Sequence, residues 1–435
     1  MTPTVALLPW GDFIEDFLDG IGISLDEFCT QMTGGWLFGY IEALRRQGHE
    51  CSIFCFSRNV GSTVHKVHAP TGARIIVMRS PAAYRRARRS MTDPYGWSVE
   101  AMFGQSRGLV RQYRRLVRHV APYLATPIRA LAREIRRAGC NTILCQEYES
   151  PRFDAAVAVG RLLRIPVFAT FQGGSWHRSQ IEGWLRPATL RRCSGLIVGS
   201  SIEEDRLRKK YEMPGGKISR IFNPLDVEEW QAVSRVDARN QLGISVSTRV
   251  AVWHGRIDIL RKGLDVLLNA WKAVCSQRPG GDVLLMLIGS GPDAELFDEE
   301  IRKTTVPHIR WNRDYILDRP SMRRYLSAAD VYVFPSRHEG FPVAPLEAMA
   351  CGLPIVAAAA PGISDILSDG EKCGGLVVPT NDAATFAANL GRLLDNESEC
   401  RVFGARARAR VEQGFSLQAV GAQLNALFRR SASWD

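Results

Sequence analysis

Short apolar runs rich in β-branched residues punctuate the chain, and each is followed by a segment of helical periodicity. The first half carries VALLPW, CSIFCF, RIIVM, NTILCQ, IPVFATF and GLIVGS; the second carries RVAVWHG, DVLLMLIGSG, HIRW, DVYVFPS, LPIVAAA and GLVVPT. Runs that are apolar at every position suit strands covered on both faces, and their alternation with helices predicts parallel sheets. Two such series predict an α/β protein of two doubly wound domains. The break is placed at ISRIFNPLDVEEW, where a strand ends in Asn223-Pro224 and a polar connection leads into the second series. This gives an N-terminal domain over 1–223 and a C-terminal domain over 224–410. Successive helices are expected from about residue 381, the last of them, 411–435, with room to pack back across the junction.

Composition agrees with a globular chain. Its 435 residues exceed one ordinary core, and hydrophobic residues make up 46%. The ten cysteines include no C-x-x-C pair, and Cys51 and Cys55 lie in an apolar run, so buried reduced thiols are expected, as in a cytoplasmic setting. The N-terminus has no basic region before its apolar stretch, and no apolar run approaches the roughly 18 residues of a membrane span. Neither export by a visible signal nor integration into a membrane is expected.

The net charge of +11 points to an anionic partner or surface, and it is unevenly spread. Gly11 to Thr33 holds six acidic residues and no Lys or Arg, whereas Tyr84 to Arg137 holds thirteen Arg, no Lys and three acids. Within the second segment Val110, Tyr113, Val117, Val120 and Leu124 recur at helical spacing, which sets a basic face against an apolar one. A helix of that kind rests on an anionic membrane surface, or packs on a core with its arginine face solvated. It offers no aromatic stacking platform for a nucleic acid.

Ligands of doubly wound folds sit beyond the carboxyl ends of the strands, so the residues after each run carry the chemistry. After RVAVWHG come Arg256 and Lys262, six positions apart around a loop, a guanidinium fork and a flexible ammonium suited to a diphosphate. After DVLLMLIG, Gly289 and Gly291 permit close approach to the backbone. After DVYVFPS comes RHEGFPVAPLEAMACGLP, with Glu339 and Glu347 separated by Pro342 and Pro345. No single helix can run through both prolines, so Glu339 lies on a loop, and PLEAMACG reads as a short helix closed by Gly352, with Glu347 in its first turn. A loop carboxylate, a helix N-terminus and a helix carboxylate together suit a ligand with hydroxyls at both ends and negative charge between. In the plainer alternative Glu347 only complements the helix dipole and Glu339 is solvated.

HGRIDILRKG, LIGSGP, LSAADVYVFPSRHEGFPVAPLEAMACGLPIVAA and FNPLD resemble the retaining glycosyltransferases of family 4, which have the GT-B fold of two Rossmann-like domains facing a central cleft and a Glu-x7-Glu signature. The resemblance is closest over about 195–380. It implies that Arg256 and Lys262 bind the diphosphate of a nucleotide sugar, helped by the helix N-terminus near Pro345. It also implies that Glu347 takes the ribose hydroxyls and that Glu339 takes hydroxyls of the transferred sugar. Gly34 and Gly35 match the glycine-rich turn that opens the first helix of the N-terminal domain. Here that turn follows the first strand only after the acidic segment, which reads as an acceptor lid or a surface loop. At ATFQGGSWH the family usually has a histidine where this chain has Gln172, which hydrogen-bonds but carries no proton; His177 lies five residues on.

Retention requires a double displacement or a front-face attack. The matched motifs hold no obvious carboxylate nucleophile, so front-face attack is expected, with the leaving diphosphate helping to deprotonate the acceptor. There is no Asp-x-Asp pair to hold a metal between phosphates, so no cofactor and no metal are expected. The expected partners are a nucleotide-sugar donor, a glycan or lipid-linked acceptor and an anionic membrane surface at 84–137, the last placing the protein on the inner face of the membrane. A nucleotide-sugar epimerase on the same fold and a non-catalytic nucleotide-sugar binder are the competing readings.

Overall fold

A computed structural model describes residues 4–33, 35–173, 179–314, 316, 318–339 and 341–432. The chain divides into two compact units, Met1–Ile221 with Gly421–Asp435, and Phe222–Val420.

The first unit is built on an eight-stranded sheet of β1 (Thr4–Leu8), β2 (Glu50–Ser57), β3 (Val64–Val67), β4 (Arg74–Arg79), β5 (Thr142–Cys145), β6 (Val167–Thr170), β7 (Gly195–Val198) and β8 (Ile218–Arg220). Their order across the sheet is β3-β4-β2-β1-β5-β6-β7-β8. Every pairing is parallel except that of β3 with β4, an edge hairpin whose strand alternates half-buried and exposed residues. All six expected runs of this half are strands; β3, four residues long and only half covered, carries too weak a pattern to be read from the sequence.

The acidic segment is a packed part of this unit. It forms helices Ile14–Ile21 and Leu25–Thr30, and its carboxylates are matched to partners from later in the chain. Asp12 accepts from the Tyr84 hydroxyl at 2.6 Å, Asp16 from Arg88 at 3.1 Å and Tyr95 at 2.7 Å, and Glu15 from the Ser57 hydroxyl. Asp19 pairs with Arg58 at 2.9 Å and Asp26 with Lys66 at 2.7 Å, while Glu27 closes a capping box with Ser24. Beneath these groups Phe13, Tyr84, Met91, Val99, Met102 and Phe103 form a small core. Arg88 of the arginine-rich segment, with Arg58 and Lys66 before it, thus neutralises part of the acidic segment, which is no simple surface loop.

The second unit holds a six-stranded, fully parallel sheet of β9 (Arg249–His254), β10 (Val283–Ile288), β11 (Ile309–Asn312), β12 (Val331–Phe334), β13 (Ile355–Ala358) and β14 (Gly375–Val378), ordered β11-β10-β9-β12-β13-β14. Alternate residues of these strands feed two cores. Val250, Val252, Tyr332 and Phe334 face one, and Ala251, Trp253, Val331 and Val333 face the other. Coverage of both faces is the reason the inner runs are so apolar, while the edge strand β11 is only half-buried and carries Arg310 and Asn312. Helices Ala383–Asp395, Glu397–Gly414 and Leu417–Ala432 end the chain. From Gly421 onward the last helix belongs to the first unit, where Asn425 meets His49 Nε2 at 3.0 Å and Phe428 packs 4.8 Å from Phe168, ring centre to ring centre.

Candidate functional site

The strand order of the second unit reverses direction at β9 and β12, which are neighbours although two strands separate them in sequence. In an open parallel sheet this reversal leaves a crevice beyond the carboxyl ends, where ligands bind. The loops leaving β9 and β12 are held there by backbone contacts that only glycine permits. A Cβ on Gly289 would stand 2.1 Å from the carbonyl oxygen of Gly255, and one on Gly291 would stand 2.2 Å from that of Ile257. The room these two glycines leave is taken by the loop that carries Arg256, with Ile257 N–H donating to Ser290 O at 3.0 Å. Gly263, which the sequence reading did not single out, has φ +64° and a Cβ position 2.1 Å from Pro335 O. Next to it, Arg337 N–H donates to Arg261 O at 2.9 Å, and the Arg337 guanidinium grips both oxygens of Asp265 at 2.7 Å. Those bonds raise the pKa of Arg337 further and hold the Asp265 carboxyl below its usual range, against the opposing effect of its burial.

Four charged groups emerge from this scaffold. Arg256 is exposed and makes no hydrogen bond or ion pair among the described residues. Lys262, at the end of the short helix Ile259–Lys262, donates through Nζ to Glu339 Oε1 at 2.6 Å, with the lysine side chain 20% and the glutamate 8% exposed. Glu339 lies on the loop after β12, as expected from the prolines. Pro345 sits in the first turn of helix Ala344–Ala350, as does Glu347, and no side chain caps that turn. Gly352, at φ +75°, follows the helix.

Glu347 has a partner that the sequence reading missed. His254, the last residue of β9, is buried, and its Nε2 lies 2.8 Å from Glu347 Oε2. The His254 Nδ1 and the Ser336 Oγ, the latter in the segment after β12, are buried and unpaired among the described residues. With no acceptor at Nδ1 the imidazole proton belongs on Nε2, donating to the carboxylate. Tyr332 packs edge-on against His254, ring centres 5.4 Å apart; burial first, then the negative charge of Glu347 and Glu339, pushes its phenol far above the ordinary value. His254 carried one clue in the sequence, its place at the end of an apolar run.

In the first unit Gln172 follows β6, and its N–H donates to Glu147 Oε2 at 3.2 Å. Glu147 itself, just past β5, is buried at φ +66°. Beside it Glu149, fully buried, accepts from Arg206 at 2.8 Å and from the Tyr211 hydroxyl at 2.9 Å. Burial would raise the Glu149 carboxyl, but the charges of Arg186 and Arg206 outweigh it and the pKa falls. The two glutamates of CQEYES directly beyond a strand were the signal for this cluster, and the sequence reading passed over them. Gly35 opens helix Gly35–Arg46; Gly34 and His177 lie outside the described residues.

Comparison with known proteins covers both units. A family model described as "Glycosyltransferase Family 4" matches residues 37–229, and one described as "Glycosyl transferases group 1" matches residues 248–396. The D-inositol 3-phosphate glycosyltransferase of Saccharomonospora viridis is 31% identical over 211 residues, 46% of this chain and 47% of that protein. The alpha-maltose-1-phosphate synthase of Mycolicibacterium smegmatis is 26% identical over 267 residues, 58% of this chain and 67% of that protein. The chain thus spans about half the length of the inositol phosphate relatives it matches. Among solved structures, sucrose-phosphate synthase from Thermosynechococcus elongatus superposes with a TM-score of 0.68 at 22% identity, over 99% of this chain and 100% of that one. The catalytic domain of starch synthase IV from Arabidopsis thaliana, bound to ADP and acarbose, gives 0.68 at 13%, over 100% of each. These likenesses match the two parallel-sheet units as the GT-B fold, and with both family models in chain order the protein belongs to glycosyltransferase family 4.

Proposed function

We propose that the chain transfers a hexosyl-type sugar from a nucleoside diphosphate sugar to a glycan or lipid-linked acceptor, with retention and without a metal ion. The observation that carries this reading is that two cations, Arg256 and Lys262, and two carboxylates, Glu339 and Glu347, stand on the segments at the strand-order reversal of the second unit. Arg256 has no protein partner among the described residues, and Lys262 spends one of its three N–H donors on Glu339. Both are therefore available to the phosphate oxygens, where charge accumulates as the diphosphate leaves. Glu347 accepts from His254 at Oε2, and Oε1, without a partner among the described residues, is left for a ribose hydroxyl. Glu339, held by Lys262, orients the hydroxyls of the departing sugar. In the front-face route the glycosidic C–O bond to the diphosphate breaks, the acceptor oxygen attacks from the same side, and the acceptor proton passes to the leaving phosphate oxygen. The relatives named for D-inositol 3-phosphate and for maltose-1-phosphate support glycosyl transfer as the reaction class.

A panel of nucleotide sugars, incubated with and without candidate acceptors, tests this. A transferase releases nucleoside diphosphate in proportion to acceptor, whereas an epimerase alters the donor with no release and a binder does neither. NMR of the product linkage reads retention directly. Removing either charge, as Arg256→Ala or Lys262→Ala, should lower turnover by about 10²–10³-fold, the usual effect of deleting one transition-state donor. Undiminished nucleoside diphosphate binding in the doubly substituted protein would overturn the assignment.

A further inference from the structure

The helix Gly108–Leu124 is anchored at one end and bare at the other. Ala121 and Pro122 are buried, and the Tyr123 hydroxyl donates to Asp154 at 2.9 Å. The first three turns instead carry Leu109 at 83% exposure, Val110 at 55%, Tyr113 at 67% and Leu116 at 60%. At about 100° per residue, Leu109, Tyr113, Leu116 and Val120 fall within an arc of roughly 60°, a single apolar row along the helix. An amphipathic helix that packed on its own core would bury this row and solvate its arginines. Here the reverse holds for the row, and several arginines turn to the protein: Arg111 pairs with Glu100 at 3.0 Å, Arg114 donates to the Gly104 and Gln105 carbonyls at 3.3 Å, and Arg118 donates to the Trp97 carbonyl.

A cavity of about 580 Å³ opens beside the exposed turns, lined by Trp97, Glu100, Gly108, Arg111, Arg115 and Arg118. It holds three guanidinium groups against one carboxylate. The side chains of Arg115 and the neighbouring Arg107 make no hydrogen bond or ion pair among the described residues, and Trp97 is 59% exposed. The helix itself contains four arginines and no acid.

We propose that this helix docks on an anionic lipid bilayer, with the row from Leu109 to Leu116 entering the interfacial layer and the unpaired arginines of its polar side, Arg107 and Arg115, reaching along it to lipid phosphates. Guanidinium forks match phosphate oxygens in pairs, and an apolar row of this length contributes by area what the charges contribute by attraction. Such binding needs both terms. Apolar burial alone would ignore lipid charge, and arginines alone would not account for an uncovered row of leucine and tyrosine. The inference concerns the first unit only and does not depend on the transfer reaction assigned to the second.

Flotation of the full chain with phosphatidylcholine vesicles, pure or with 30% phosphatidylglycerol added, tests it. Binding is expected to the mixed vesicles, to fall as salt is raised, and to be absent from the neutral ones. Leu109→Ser/Leu116→Ser and Arg107→Gln/Arg115→Gln should each reduce it by about tenfold or more. These residues are exposed, so both variants should keep the parental circular dichroism and nucleoside diphosphate affinity, which checks that the fold survives. Equal binding to both vesicle types, binding to neither, or variants that float like the parent would each overturn the proposal.

Discussion

A carboxylate that receives a hydrogen bond at one oxygen is fixed in rotation and presents the other oxygen in a defined direction. His254 does this to Glu347 across 2.8 Å, so it acts as a positioning residue for whatever the free oxygen meets. With Glu347 taking the ribose, as proposed, His254→Val should weaken nucleoside diphosphate binding about tenfold, the effect of losing one hydrogen bond to a charged group. The preference for ribose over 2′-deoxyribose should shrink with it, while His254→Gln, which retains an N–H donor, should keep most of both. Titration calorimetry with the two nucleotides reads this, and an unchanged preference in His254→Val would remove the role. The places of Glu339, Glu347, Arg256 and Lys262 beyond the strand ends were legible in the sequence because charged residues directly after apolar runs form a recognisable order. His254 was not, since a single histidine has no pattern; only the pairing of its strand and the placing of helix Ala344–Ala350 bring the two side chains together.

The short helix carrying Glu347 was legible from its punctuation, proline in the first turn and glycine after the last. The joining of the two site loops was not, because its partners are far apart in sequence: Arg337 and Asp265 are 72 residues apart, and Gly263 contacts Pro335. Gly263→Ala is the corresponding test. The new methyl would meet the Pro335 carbonyl at 2.1 Å in a left-handed conformation, so the two loops must separate. A loss of about 2 kcal/mol in stability is expected, together with a fall in nucleoside diphosphate affinity, readable by denaturant melts with and without nucleotide. Parental values in both would show that the loop contact is dispensable. The same limit applies to the acidic segment. Its six carboxylates read as a lid or a surface loop, and only Tyr84, Arg88, Tyr95, Arg58 and Lys66, brought by later elements, reveal them as packing groups.

Twelve runs became twelve strands, most of them because burial on both faces imposes an apolar code that needs no partner to be read; the edge strand β11, with Arg310 exposed, is the exception. The same burial governs the thiols. Nine of the ten cysteines are buried and all are free. Burial lifts the thiols of Cys51, Cys55, Cys145, Cys193, Cys351 and Cys400 to about 12. Since the thiolate is the reactive form, iodoacetamide at pH 8 should label half-buried Cys275 first and the rest only after denaturation, as peptide mass mapping would show. Early labelling of Cys145, the last residue of β5, would contradict the packing described. The last helix has a different consequence. The first unit is made of residues that flank the second on both sides, so a chain leaving the ribosome cannot finish it until the residues from Gly421 onward have emerged. Until then Phe168 lacks Phe428 and His49 lacks Asn425. The second unit, encoded between them, has all its residues in hand earlier and is free to mature first, inverting the usual order in which domains are completed.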